Sequence, residues 1–164
     1  MNIFTIGYEG ANIDDFIATL KVYGIDTLLD VREIAMSRRK GFAKTALRNC
    51  LEAHGIYYQH EKQLGSPKDI RDRLRADGNY EKYFADFNDY LETQTLLLKN
   101  LTIQLKGNVA LMCYERDYKT CHRSSVATKL TQLIGGTPKH LGVRHGISIR
   151  VNQRMDFSQS LSAA

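Results

Sequence analysis

The chain reads as an α/β fold: a single three-layer domain with a mostly parallel sheet and helices on both faces. Three observations predict it. Short apolar runs of strand length alternate with amphipathic stretches of helical period. Strand-like runs such as Thr27-Leu28-Leu29-Asp30-Val31 are apolar almost throughout, as strands covered on both faces are. Glycines punctuate the joints, with Gly7, Gly24, Gly55 and Gly135-Gly136 each closing one run before the next begins.

Taken in order, Asn2 to Ile6 is a β-prone run that stops at Gly7. Tyr8-Glu9-Gly10 makes a polar loop, and Asn12 or Asp14 caps a helix carrying Phe16, Ile17, Leu20 and Val22. The second strand, Thr27 to Val31, delivers Arg32 at its carboxyl end. The loop Glu33 to Phe42 then concentrates Arg38, Arg39 and Lys40 with Ser37 and Gly41. Lys44 to His54 is an amphipathic helix with Leu47, Cys50 and Leu51 inward, and Ile56 to His60 a third short strand. Lys68 to Ala76 alternates in sign, with Lys68, Arg71 and Arg75 on one face, which reads as a solvated helix side. The aromatics Tyr80, Tyr83, Phe84, Phe87 and Tyr90, continued by Leu91 and Leu98, form a core-facing stripe along one helical stretch from Asn79 to Leu105. A strand at Val109, a polar loop, and a helix through Val126, Leu130, Leu133 and Ile134 follow. Thr137 to Leu141 is an edge strand, where Pro138 is tolerated. The domain is expected to span residues 1–146, and 147–164 to add an edge strand, from the alternation of Ile147, Ile149 and Val151, before a flexible tail.

The 164 residues carry a net charge of +5, an excess that favours anionic partners: nucleic acid, a nucleotide or a phosphorylated metabolite. No signal-peptide pattern opens the chain and no run approaches a membrane span, so a cytoplasmic protein without a membrane partner is expected. Cys50, Cys113 and Cys121 are an odd number without a secretion signal, so reduced thiols are expected rather than a disulfide framework.

The densest chemistry lies between Cys113 and Arg123, where two cysteines, Glu115, His122 and Arg123 fall within eleven residues. They bridge a strand and a helix, the position at which open α/β sheets keep their ligands. Cys121 to Ser124 begins that helix, where free N–H groups attract an anion and Arg123 can add a bidentate contact. Arg32, Ser37 and Arg38 belong to the neighbouring strand's loop.

Thr5-Ile6-Gly7-Tyr8-Glu9-Gly10, Asp30-Val31-Arg32, Ser37-Arg38, Gly41-Phe42-Ala43-Lys44, Gly55 to His60, Leu64-Gly65, Met112 to Glu115 and Cys121-His122-Arg123 occur together and in order. This set strongly resembles the prokaryotic family known as domain of unknown function 488. The resemblance runs from Thr5 to about Leu141 and implies no activity. Two departures stand out: Ala35 where the family usually has a proline, and Ser66 where a second glycine is common.

The expected function is therefore the binding of an anionic, phosphate-containing ligand, preferably nucleic acid or a nucleotide. Tyr8, Glu9, Arg32, Ser37, Arg38, Lys44, His122 and Arg123 are the candidate ligand-binding residues. Glu115 is the candidate general base, and His60 a further acid or base. The rival is a cysteine-dependent transferase or phosphatase of rhodanese-like kind, with Cys113 or Cys121 as nucleophile. Against it, such loops bring the arginine nearer to the cysteine than the ten positions separating Cys113 from Arg123. Cys113, Glu115, Cys121 and His122 offer four metal donors. Adjacent Cys121 and His122 should diverge on a helix, however, and no second pair has finger spacing, so neither a metal nor a cofactor is expected.

Overall fold

A computed structural model describes residues 1–151. Five strands, β1 (Asn2–Gly7), β2 (Thr27–Asp30), β3 (Tyr57–His60), β4 (Asn108–Cys113) and β5 (Lys139–Leu141), form one sheet in the order β3-β2-β4-β1-β5. Every pairing is parallel, as continuous apolar strands separated by helices require. The helices are α1 (Ile13–Val22), α2 (Lys44–Ala53), α3 (Lys68–Asp77), α4 (Tyr80–Glu92), α5 (Thr95–Gln104) and α6 (Arg123–Ile134).

Two cores divide the helices between the faces of the sheet. Phe16, Ile17 and Leu20 of α1 pack with Leu47 and Leu51 of α2 against Phe4, Ile6, Leu28, Ala110 and Met112. On the opposite face Ile70, Tyr83, Phe87, Leu91, Leu98, Leu101, Val126 and Leu130 from α3 to α6 cover Ile3, Leu29, Val109 and Leu111. Side chains alternate along each strand, so neighbours such as Leu28 and Leu29 serve different cores. Complete burial of each is worth about 1.5–3 kcal/mol. The predicted three-layer architecture is the observed one.

Asn12 caps α1 by accepting from the Asp15 N–H at 2.8 Å, one of the two caps the sequence allowed. The single helical stretch expected from Asn79 to Leu105 is instead two helices. The chain breaks at Thr93-Gln94, where the Thr93 hydroxyl donates to the Tyr90 carbonyl at 2.6 Å and competes with the helical ladder. The edge strand expected at Ile147, Ile149 and Val151 is also corrected, because residues 147–151 are helical. The Asp15 carboxylate starts that turn by accepting from the backbone of Gly146 and Ser148 and from the Ser148 hydroxyl, at 2.9, 3.0 and 2.7 Å. The rest of the expected tail, 152–164, lies outside the described residues. Among these no helix is long and apolar enough to cross a membrane.

Candidate functional site

The carboxyl ends of β1, β2 and β4 lie side by side, so the loops that leave them share one end of the sheet. Two glycines bring these loops together. A Cβ on Gly7 would stand 1.9 Å from the Glu115 carbonyl oxygen, and one on Gly65 would stand 2.2 Å from the Glu33 nitrogen. Only glycine permits either approach. Between the loops opens a cleft of about 930 Å³, walled by Arg32 to Ile34 and Met36 to Arg39, by Arg71, Arg75, Tyr80 and Tyr83 of α3 and α4, and by Cys113 to Glu115 with His122.

Arg32 is almost fully buried, at 5% exposure, and every branch of its guanidinium is engaged. Nε donates to Asp30 Oδ1 at 2.8 Å and Nη2 to Asp30 Oδ2 at 2.5 Å, while Nη1 donates to the Tyr8 hydroxyl and the Phe42 carbonyl, both at 2.9 Å. Tyr58 adds a hydrogen bond to Asp30 Oδ2 at 2.6 Å. Burial works against the charge on Arg32, but the Asp30 carboxylate outweighs it and raises its pKa. Burial, reinforced by Asp30, pushes the Tyr58 phenol up. Arg32 is therefore the tie between β2, the Tyr8 loop and Phe42.

Arg123, at 1% exposure, is also buried. Its Nη1 and Nη2 donate to the carbonyls of Glu115 and Arg116, at 2.6 and 3.2 Å, stapling the loop between β4 and α6. The expectation that Arg32 and Arg123 hold the anion is thus corrected: Arg32 spends every donor group on internal partners, and Arg123 spends both terminal nitrogens on loop carbonyls while its Nε is buried without a partner. Glu9 accepts from the Arg116 N–H at 3.0 Å and joins two loops outside the cleft. Lys44 Nζ is 3.1 Å from His60 Nδ1, and His60 Nε2 donates to the Arg32 carbonyl at 2.8 Å. His60 ends β3, Lys44 begins α2 and neither lines the cleft, so His60 and Lys44 fall away from the site.

Two exposed arginines remain. Arg38 and Arg39 line the cleft and meet no carboxylate among the described residues. Arg39 Nη1 donates to the Ala11 carbonyl at 2.7 Å, and its backbone N–H donates to the Ser37 hydroxyl at 3.1 Å, which fixes the loop while leaving the charge uncompensated. Facing them, Arg71 is paired with Glu33 and Arg75 with Asp72. Tyr80 and Tyr114 offer exposed rings to the cleft, and Tyr8 forms part of its floor, stacked on Phe42 with centroids 4.4 Å apart.

Cys113 ends β4, Glu115 follows in the loop, and Cys121 with His122 precede α6. Cys121 is extended (φ −122°, ψ 134°) and His122 is in the right-handed region (φ −55°, ψ −24°). Because they stand before the helix rather than within it, their side chains converge, which removes the reason for expecting them to diverge. Both thiols donate to Glu115 Oε2 at 3.0 Å, and His122 Nδ1 is 3.9 Å from each sulfur. His122 Nε2 lies 2.8 Å from the Val31 carbonyl, an acceptor only, so Nε2 carries a proton and Nδ1 faces the sulfurs.

The electrostatics separate the two thiols. Cys113 is pushed well above the usual thiol range, first by its hydrogen bond with Cys121 and then by burial. Burial alone would raise Cys121 too, but the hydrogen bond from Cys113 and the adjacent His122 and Arg123 bring it well below that range. Burial and the neighbouring Cys121 raise the Glu115 carboxyl. Burial opposes the charge on His122, but Cys121 and the Val31 carbonyl raise its pKa.

The structure therefore brings Tyr8, Ser37, Arg38, Cys113, Glu115 and His122 to one cleft, with Cys121 behind them. Arg71, Arg75, Tyr80, Tyr83 and Tyr114 join them without having been expected there. Arg71 and Arg75 were visible as one helix face, and the nearby Gly65 was the signal that this face packs onto the Glu33 loop. No curated protein and no solved structure matches the chain. The family model described as Domain of unknown function DUF488 matches residues 12–130, more than half of the sequence, so the chain belongs to the DUF488 family.

Proposed function

We propose that the cleft binds a phosphate-bearing ligand, either single-stranded nucleic acid or a nucleotide. The observation that carries this reading is the pair Arg38 and Arg39, charged, exposed and without a carboxylate partner among the described residues, at the mouth of a cleft at strand carboxyl ends. Arg38 and Arg39 supply planar donors to phosphate oxygens, with the Ser37 hydroxyl beside them. The exposed rings of Tyr80 and Tyr114 supply faces on which bases stack, each worth roughly 1–3 kcal/mol. Glu115, raised by burial, is then the group placed to exchange a proton with a bound ligand.

The reading is tested by fluorescence polarisation with a labelled single-stranded oligonucleotide, and by competition with mononucleotides. Affinity falls with salt, and the double substitution Arg38→Ala/Arg39→Ala flattens the logarithmic slope by about 0.7 for each phosphate that is no longer neutralised. No retention of oligonucleotide or nucleotide at low salt would end this proposal. The second reading, Cys121 as a nucleophile in a rhodanese-like transfer, is favoured by its lowered pKa but opposed by its 1% exposure. It requires iodoacetamide to alkylate Cys121 faster than Cys50 below the usual thiol pKa; equal, slow labelling would exclude it.

A further inference from the structure

Three donor atoms, Cys113 Sγ, Cys121 Sγ and His122 Nδ1, all lie within 4.8 Å of one another in a buried pocket wall. We propose that they bind one divalent transition-metal ion of the zinc class, with a fourth coordination position open on the cleft side. The inference is independent of the phosphate reading.

Geometry, donor chemistry and outer-shell orientation support it separately. In a tetrahedral site with Zn–S near 2.3 Å and Zn–N near 2.05 Å, neighbouring sulfur and nitrogen donors stand about 3.6 Å apart. His122 Nδ1 stands 3.9 Å from both sulfurs and the sulfurs lie within 4.8 Å of each other, so closing the S–N distances by a few tenths of an ångström and the S–S distance by at most about 1 Å completes three vertices around one ion. Two thiolates and an imidazole form a soft, compact set that suits zinc and disfavours magnesium or calcium. The Val31 carbonyl accepts from Nε2 and thereby presents the Nδ1 lone pair to the sulfurs, the outer-shell arrangement that metal-bound histidines use. The three ligands are also built rigidly: Cys113 ends a central strand, and the loop that carries Cys121 and His122 is stapled by Arg123 to the carbonyls of Glu115 and Arg116.

Glu115 sets the use of the fourth position. Its Oε2 lies 3.0 Å from each sulfur, beside the three-donor set, and Glu115, Cys113 and His122 all line the cleft. Three protein ligands and a carboxylate next to an open position is the pattern of a catalytic rather than a structural zinc site. With Cys113, Cys121 and His122 holding the ion, the metal would supply Lewis acidity at the open position, and Glu115 would be the group placed beside it to accept a proton.

The test is titration of the reduced, metal-stripped protein with cobalt(II), followed by zinc displacement. Wild type should take up about one ion per chain, with sulfur-to-cobalt charge-transfer absorption and the visible bands of tetrahedral cobalt, both abolished by zinc. Cys113→Ser, Cys121→Ser and His122→Ala should each lose affinity by more than the roughly 10–100-fold that removal of an outer-shell hydrogen bond costs. Cys50→Ser, which lies outside the site and spares the three donors, should keep the tetrahedral spectrum. If the ligand variants fail to fold, wild type and Cys50→Ser still decide the matter. Absence of charge-transfer absorption in folded wild type would overturn the proposal. So would an octahedral spectrum, its persistence in Cys113→Ser, or a Cys113–Cys121 disulfide in freshly isolated protein.

Discussion

Arg32 and Arg123 sit in the same ring of loops as Arg38 and Arg39, yet the two pairs do opposite work. The first pair is at most 5% exposed, and its terminal nitrogens are held by Asp30, Tyr8 and the carbonyls of Phe42, Glu115 and Arg116. The second pair is exposed and meets no carboxylate among the described residues. An arginine at a strand's carboxyl end is thus not by itself a ligand contact. Taking a guanidinium out of water demands internal partners, and those partners occupy the terminal nitrogens that an anion would need.

The largest effect is expected at Arg32. Arg32→Met leaves the Asp30 carboxylate buried and uncompensated, and should cost about 3–5 kcal/mol in denaturant unfolding. A loss under about 1 kcal/mol, the size typical of an exposed pair, would mean that Arg32 is not the tie described. Arg123→Met frees the carbonyls of Glu115 and Arg116 and should cost about 1–3 kcal/mol by the same measurement. It should also blunt any activity that depends on Glu115. Gly7→Ala forces the Glu115 loop away from β1, and a crystal structure of that variant should show the Cys113–Glu115–Cys121 hydrogen bonds broken. By contrast, Arg38→Ala and Arg39→Ala should leave stability within about 0.5 kcal/mol of wild type while weakening oligonucleotide binding.

The smallest effect concerns Asp15. Burial works against its charge, but hydrogen bonds from Ser148, Gly146 and Asn12 hold its carboxyl well below the usual range. A depressed folded-state pKa gives stability that is fully present above the ordinary value of 3.8 and lost as pH falls below it. In Asp15→Asn the acid limb of the stability profile should shift to lower pH and flatten. Amide exchange at Gly146 and Ser148 should also quicken; an unchanged limb would exclude Asp15 as its source.

Much of the fold was legible because its signals are local. Continuous apolar strands, the Asn12 cap and the glycines at strand ends each act within a few residues, and together they imply the layer order and the helix faces. The segments from 79 to 105 and from 147 to 151 were misread for a related reason. The Thr93 hydroxyl and the distant Asp15 carboxylate impose a break and a helical start that periodicity does not register. At the site, Cys113, Glu115, Cys121 and His122 could be picked out by type, but not their convergence. That depends on Cys121 and His122 lying just before α6, a matter of two residues. Nor could composition tell a buried arginine from an exposed one, because Asp30 and the carbonyls that capture Arg32 and Arg123 are assigned only by the sheet register and the loops it brings together.

Amide chemical-shift mapping with a single-stranded oligonucleotide tests this division of the arginines most directly. Perturbations should concentrate at residues 36–39, on α3 and the start of α4, and at Tyr114, with Arg32 and Lys44 little changed. Shifts centred on Lys44 and His60, or none at low salt, would contradict it.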